Sequence, residues 1–154
     1  MAGADIVIVG GGCMGASIAY HLALAGAGDI TLLERGTLGS GTTGASSAII
    51  RQHYGIPTLA AMAQRSLRIF QRFDELVGGD VGFRQTGLLI GARSEDLEAL
   101  QASVTMQRGL GIDTRMVDRE ELRELEPRMT AHDLVGACHE PEAGYADPVA
   151  TTMA

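Results

Sequence analysis

Three glycines near the start of the chain stand at the spacing that lets a diphosphate approach the backbone. They are Gly10, Gly12 and Gly15, and Glu34 follows 19 positions after the last of them. The first permits a tight turn, the second leaves room for the diphosphate, and the third lets a helix pack close to a strand. An acidic residue about 20 positions further on accepts hydrogen bonds from a ribose and disfavours a 2′-phosphate. The pattern predicts a site for the adenosine diphosphate part of a dinucleotide.

The elements around these glycines have the order that such a site requires. Residues 5–9 and 30–34 predict two buried strands, and apolar spacing over 14–27 predicts a helix between them. The start of that helix would offer the N–H groups of Cys13 and Met14, with its positive dipole end, to the diphosphate. The first 34 residues therefore predict an α/β, Rossmann-like βαβ unit with a right-handed crossover. The alternative is an ordinary βαβ turn whose glycines bind nothing.

A segment rich in glycine, serine and threonine follows the second strand. Residues 39–47 read Gly-Ser-Gly-Thr-Thr-Gly-Ala-Ser-Ser, whereas in a typical NAD domain a third strand follows soon. Many hydrogen-bond donors in an irregular segment suit the diphosphate and ribityl chain of a flavin. We therefore predict FAD as the cofactor. The alternatives are an NAD-dependent dehydrogenase and, for the segment itself, a flexible surface loop.

Beyond residue 56 the apolar pattern alternates between helical and strand spacing. Pro57 opens an amphipathic helix that ends at Gly78-Gly79, and residues 83–92 predict a strand interrupted at Gly87. Further elements are expected in this order: a helix from a Ser94 cap to about Leu110, a strand over 114–117, a helix that starts with a capping box over 118–121 and ends at Pro127, a strand over 134–139, and a helix opening at Asp147-Pro148.

Composition narrows the class of protein. The net charge of −7 argues against nucleic-acid binding, because phosphate contacts need an excess of basic residues. Cys13 and Cys138 are too few and too far apart for a disulfide framework or a metal site. No apolar stretch is long enough to span a membrane, and no signal peptide is evident. A cytoplasmic protein that binds no membrane and no metal is expected.

Taken together, the motifs resemble the D-amino-acid oxidase superfamily, and within it the sarcosine oxidase and dimethylglycine dehydrogenase-like flavoenzymes. The similar stretches are residues 7–15, 32–36, 39–54, 86–89 and 144–148. Members of that family are more than twice this length, so the resemblance implies an N-terminal portion. It implies an FAD-binding part over 1–80, the start of an α+β substrate domain over 81–143, and a return to the FAD-binding domain over 144–154.

The resemblance also implies roles for single residues. Arg35 would lie near the adenine ribose, and Arg51 matches the arginine that binds the substrate carboxylate in monomeric sarcosine oxidase. A planar, always charged guanidinium suits that role; the alternative is a surface or internally paired arginine. His53 and Tyr54 are candidates for tuning substrate binding, or they pack and complete a loop. Four hydroxyl side chains would line the flavin: Thr42, Thr43, Ser46 and Ser47.

Two alanines depart from the family pattern. Ala45 stands where the dimethylglycine dehydrogenase branch has the histidine that bonds covalently to the flavin, so that linkage cannot form here. Ala48 stands where monomeric sarcosine oxidase has a second arginine near the flavin. Both departures leave the substrate undetermined.

The implied activity is FAD-dependent oxidation of a secondary or tertiary amino acid, such as sarcosine or dimethylglycine. A hydride would pass to the flavin and water would hydrolyse the resulting imine, while Arg51 fixes the substrate carboxylate. The alternatives are an NAD-dependent dehydrogenase and a non-catalytic dinucleotide-binding fragment or subunit that needs an unknown partner.

Overall fold

A computed structural model describes residues 3–130 and 132–154. It contains two compact units: the first comprises the chain up to Ile49 with Arg72–Phe83 and Ala146–Ala154, and the second comprises Ile50–Gln71 and Arg84–Tyr145. These bounds differ from the predicted division chiefly over 50–71, and the predicted roles of the parts stay predictions. Within the described residues, no helix is both long and apolar enough to cross a membrane.

The first unit contains the predicted βαβ arrangement. Strands β1 (Ile6–Val9) and β2 (Ile30–Leu33) are parallel and paired along their whole length. Helix α1 (Cys13–Leu24) connects them, starting one residue earlier and ending three residues earlier than predicted. It ends early because Gly26 adopts a φ of 65° in a Schellman-type C-cap. Local apolar spacing and glycine placement were therefore sufficient to predict this unit.

The prediction that both strands are fully buried is wrong for the described chain. Half-buried and exposed residues alternate along each strand, and Val7, Val9 and Leu33 are 55%, 84% and 52% exposed. Successive strand residues point to opposite faces of a sheet. The described residues therefore cover one face of the β1–β2 pair and leave the other open.

Two later segments complete the first unit. Helix α3 (Phe73–Leu76) ends at a carbonyl that accepts the hydroxyl of Tyr20 at 3.0 Å. Helix α6 (Pro148–Met153) packs against α1. The carboxylate of its N-cap, Asp147, accepts two first-turn N–H groups at 2.8 Å, which confirms the predicted helix start.

The second unit is built on an antiparallel sheet covered by helix α4 (Leu97–Gly109). The strand order is β5 (Leu88–Ala92), β7 (Gly136–Glu140), β6 (Arg115–Asp118). The buried apolar side chains of this unit include two clusters, one of Ala92, Leu100, Val104 and Cys138 and one of Val117, Leu122 and Ala137.

Further elements lie outside this sheet. Strand β4 (Arg84–Gln85) pairs with β8 (Gly144–Tyr145), so the strand predicted over 83–92 is two strands separated at Gly87, whose φ is 74°. The other elements are α2 (Pro57–Gln71), α5 (Arg119–Leu125) and, at the boundary between the units, β3 (Ile49–Ile50).

Three helix predictions need correction. The single helix predicted from Pro57 is divided into α2 and α3, because Arg72 has a φ of −132°. Helix α4 has Asp96 as its N-cap and starts at Leu97, and not after a Ser94 cap. Before α5, Asp118 accepts two N–H groups at 2.9 Å as expected. However, the carboxylate of Glu121 pairs with Arg115 and does not complete a capping box.

Candidate functional site

The glycine turn between β1 and α1 has a geometry that side chains would obstruct. Gly10 has a φ of 107°. A Cβ on Gly12 would lie 2.8 Å from Thr43 Oγ1, and a Cβ on Gly15 would lie 1.9 Å from the carbonyl oxygen of Gly10. The first glycine therefore makes the turn and the third lets α1 begin directly against it, which is the geometry that brings a diphosphate close to the backbone.

The N-terminus of α1 offers backbone donors to an anion. Its N-cap, Gly12, has no side chain to accept them, and Cys13 and Met14 are exposed. Thr43 Oγ1 accepts the N–H of Cys13 at 3.1 Å, so this first-turn donor is bonded to a side-chain hydroxyl. First-turn N–H groups lack partners inside the helix, and the helix dipole adds positive potential there.

The carboxylate of Glu34 is fixed beside the same turn. Its Oε2 accepts the N–H of Gly11 and its Oε1 accepts the N–H of Gly36, both at 2.8 Å. These two bonds, that of Gly11 foremost, hold the pKa of Glu34 below its ordinary value of 4.5. Each oxygen of the ionised carboxylate retains a lone pair that a ribose hydroxyl can use.

The glycine-rich segment after β2 folds back onto the glycine turn. The N–H of Gly39 donates to the carbonyl of Gly11 at 2.8 Å, and the N–H of Gly44 donates to the carbonyl of Gly39 at 2.8 Å. A Cβ on Gly11 would lie 2.5 Å from Leu38 Cδ2, which shows how closely the segment packs. This packing favours a role at the cofactor site over a flexible surface loop.

The predicted flavin residues differ in their positions. Thr43 is half-buried and contacts the turn through Cys13. The other four side chains are exposed and make no side-chain hydrogen bond to the turn among the described residues: Arg35, Thr42, Ser46 and Ser47.

The candidate substrate residues lie together in the second unit. The guanidinium carbon of Arg51 lies 5.4 Å from the centroid of the Tyr54 ring, a cation–π arrangement. Arg51 is exposed, and it makes no ion pair with any residue that the structure describes. Its charge acts on the buried carboxylate of Glu140, but no ion pair among the described residues neutralises it, so it is available to an external carboxylate.

Gln107 determines which nitrogen of His53 carries the proton. Gln107 Nε2 donates to the carbonyl of Tyr54 at 3.2 Å, which orients the amide, and the same Nε2 lies 3.2 Å from His53 Nδ1. With the amide in this orientation Nδ1 is the acceptor, which assigns the proton of the neutral ring to Nε2. Burial first, and the charge of Arg51 second, lower the pKa of His53 from 6.5, so the ring is neutral at pH 7.

Sequence reasoning missed three buried polar residues, one within this segment and two that bond to it. Gln52, Gln107 and Glu140 are each 0% exposed. Glu140 Oε2 accepts the N–H of Gln52 at 3.0 Å, and Glu140 Oε1 lies 3.8 Å from His53 Nδ1. Burial raises the pKa of Glu140 above its ordinary 4.5. The one available signal was a glutamate two positions after Cys138, hence on the same strand face.

The two cysteines have no evident role in chemistry. Cys138 is buried, and burial raises the pKa of its thiol to about 11. Cys13 is exposed, and its bonded group is the backbone N–H, which donates to Thr43 Oγ1. Among residues 3–130 and 132–154, no three His, Cys, Asp or Glu side chains are grouped as metal ligands.

Comparison with known proteins gives a family match over nearly the whole chain. The model of the family described as DAO, FAD dependent oxidoreductase, matches residues 5–154. The chain is 34% identical over 149 residues to 4-methylaminobutanoate oxidase (formaldehyde-forming) of Paenarthrobacter nicotinovorans. It is 30% identical over 152 residues to mitochondrial dimethylglycine dehydrogenase of Rattus norvegicus. These alignments cover 96% and 98% of this chain and 18% of each relative.

Two further similarities are informative. The mitochondrial pyruvate dehydrogenase phosphatase regulatory subunit of Mus musculus is 34% identical over 140 residues, which are 90% of this chain and 16% of that protein. The solved structure of L-proline dehydrogenase from P. horikoshii has a TM-score of 0.88 at 29% identity, covering 97% of this chain and 40% of that one. The chain spans less than half of each of these proteins. The α/β fold and the superfamily resemblance are confirmed.

Proposed function

The chain belongs to the DAO family of FAD dependent oxidoreductases, and we propose that it serves in the oxidation of a secondary or tertiary amino acid. The single observation that carries this proposal is the exposed Arg51 guanidinium, which has no ion-pair partner among the described residues. A guanidinium binds a carboxylate through two parallel hydrogen bonds. Relatives named for oxidising methylated amino acids support this substrate class.

The residues around the glycine turn fit FAD. We propose that the first-turn N–H groups of α1 and the Thr43 hydroxyl bind the diphosphate, while Glu34 accepts from the ribose. Thr42, Ser46, Ser47 and Arg35 are proposed as further cofactor contacts. When bound, FAD supplies the acceptor for a hydride. Family membership favours FAD over the NAD alternative.

The residues of the second unit orient the substrate. Arg51 neutralises the carboxylate and fixes one end of the molecule, which converts a random encounter into an oriented one. The Tyr54 ring restricts the positions that the guanidinium can adopt. His53, neutral and protonated on Nε2, is a hydrogen-bond donor that does not repel a cationic amine.

An Arg51→Ala variant of the complete gene product tests this role. We expect kcat/KM for an N-methylated amino acid to fall about 100-fold, mainly through KM, because a charge-assisted bidentate contact is lost. The kcat/KM of Arg51→Lys should lie between those of the wild type and Arg51→Ala, because lysine keeps the positive charge but cannot form two parallel hydrogen bonds. Arg65→Ala, which removes another exposed arginine of the same unit, is the matched control. Unchanged kinetics in Arg51→Ala would remove Arg51 from the site.

A second candidate is a non-catalytic subunit. One observation favours it: the similarity to a protein named as a regulatory subunit. This candidate predicts no amine-dependent turnover by the complete gene product even when FAD is bound. Turnover of any methylated amino acid would exclude it. The cytoplasmic location stays a prediction.

A further inference from the structure

Two fully buried polar side chains bond to the segment that follows Arg51. Gln107 lies on α4 and Glu140 lies on β7, and both are 0% exposed. Glu140 Oε2 accepts the N–H of Gln52 at 3.0 Å, and Gln107 Nε2 donates to the carbonyl of Tyr54 at 3.2 Å. We refer to Gln107 and Glu140 as the buried clamp.

Two buried polar side chains at these positions do not maximise the stability of the fold. Their neighbours on the same two elements, such as Leu100, Val104 and Cys138, are core residues. A buried carboxylate or amide costs free energy unless its hydrogen bonds are complete. Here Gln107 Oε1 and Glu140 Oε1 accept no hydrogen bond from the described chain. Apolar residues of similar size would avoid that cost, so the retained polar bonds call for an explanation other than core packing.

The bonds of the clamp are directed at one short stretch of backbone. They join the clamp to the backbone N–H of Gln52 and to the backbone carbonyl of Tyr54, and Gln107 Nε2 also lies 3.2 Å from His53 Nδ1. The residue immediately before this stretch is Arg51, whose side chain is exposed and lies against the Tyr54 ring. Each of the three residues after Arg51 is therefore bonded to a buried group, while Arg51 itself faces outward.

We propose that Gln107 and Glu140 are positioning residues that hold the backbone of residues 52–54 so that Arg51 is aimed at the substrate carboxylate. This inference rests on the proposed function of Arg51. A displacement of about 1 Å at a substrate-orienting group can cost on the order of 100-fold in rate. Because the clamp fixes the residue next to Arg51, its loss displaces the guanidinium without removing it.

The test uses the complete gene product loaded with FAD and two apolar replacements, Glu140→Leu and Gln107→Leu. Acetate, a bare carboxylate, serves as the binding probe, and its Kd is measured by titration. We expect each replacement to weaken acetate binding and to raise the KM for an N-methylated amino acid about tenfold, with kcat changed little. A merely structural loss would lower the amount of active protein and leave the Kd for acetate unchanged.

Two matched variants complete the design. Glu140→Gln keeps an oxygen that can accept the N–H of Gln52 and removes a carboxylate that interacts with the charge of Arg51, so its acetate affinity should be at least that of the wild type. Gln101→Leu changes an exposed glutamine of the same helix and should have no effect. Loss of acetate affinity in Glu140→Gln equal to that in Glu140→Leu would overturn the role given to Glu140. If Glu140→Leu does not fold, Gln107→Leu decides alone.

A double-mutant cycle separates this inference from the proposed function. In an Arg51→Ala background, Glu140→Leu and Gln107→Leu should have no further effect on acetate affinity, because they act through Arg51. Additive effects would overturn the clamp. If Arg51→Ala alone leaves acetate affinity unchanged, the proposed function of Arg51 fails. If Arg51→Ala weakens acetate binding but Glu140→Leu and Gln107→Leu do not, the clamp alone fails.

Discussion

Replacing Gly15 with alanine places a methyl group where helix α1 meets the turn after β1. The new Cβ would lie 1.9 Å from the carbonyl oxygen of Gly10 and 3.1 Å from its carbon. Both are backbone atoms that no rotamer change can move. Since non-bonded heavy atoms pack at about 3.5–4.0 Å, the helix start must shift by more than about 1 Å.

Two opposing terms determine the effect of Gly15→Ala on stability. Overpacking costs about 1–3 kcal/mol, and alanine in a helix regains about 1 kcal/mol relative to glycine. The net loss in the free energy of unfolding is therefore about 0–2 kcal/mol, and the variant should fold. Displacement of the first-turn N–H groups by about 1 Å should nevertheless weaken FAD binding on the order of 100-fold, by analogy with misplaced catalytic groups.

The assay is a fluorescence titration of the apoprotein with FAD. Gly3→Ala is the matched control, because nothing lies within 4 Å of the Cβ it would add, no positive φ is recorded for Gly3, and it lies outside the glycine turn and the 39–47 segment. It belongs to the same unit and should bind FAD as wild type does. A Gly15→Ala protein that binds FAD as tightly as Gly3→Ala would refute the close helix–turn packing on which the cofactor site rests.

Three further predictions concern stability and are checked by urea unfolding. Asp118→Ala should lower the free energy of unfolding by about 1 kcal/mol, because it removes the acceptor of two N–H groups at 2.9 Å. Asp96→Ala, at an N-cap without a side-chain hydrogen bond, should lower it by less than about 0.5 kcal/mol. Equal losses in the two variants would contradict the cap assignment. Ala48→Gly should stabilise the protein by up to about 1 kcal/mol, because Ala48 has a φ of 53°; a loss of stability would show that no strain is stored there. Burial raises the pKa of Glu140 above 4.5, so the stability that protonated Glu140 contributes is present below pH 4.5 and is lost as the pH rises through the folded-state pKa. The Glu140→Gln variant should not show this loss of stability. Parallel stability–pH curves for the wild type and the variant would contradict this prediction.

Elements defined by neighbouring residues were predictable from the sequence. The short β-branched runs of β1 and β2, and the glycines that bound α1, act over a few residues, and the structure has these elements within three residues of the expected positions. The division at Gly87 and the start of α6 at Asp147 were predictable for the same reason. Each depends on the conformational preference of one residue and its immediate neighbours.

Features that depend on distant partners were not predictable. The bond from Gln52 to Glu140 spans 88 positions, and the contact between His53 and Gln107 spans 54. No local pattern marks such pairs, because burial is determined by what packs above a residue and not by its neighbours in sequence. The predicted burial of Val9 was wrong for the same reason, because the apolar pattern of a strand residue predicts burial whichever face the rest of the fold covers.

The central claim is tested most directly by mixing the purified complete gene product with an N-methylated amino acid in the absence of oxygen while flavin absorbance is recorded. We expect the protein to carry flavin absorbance and to lose it on mixing. We expect a much slower loss with the matching amine that lacks the carboxylate, and with the Arg51→Ala variant. A protein without flavin absorbance, or one whose flavin is reduced equally well by both compounds, would contradict the account.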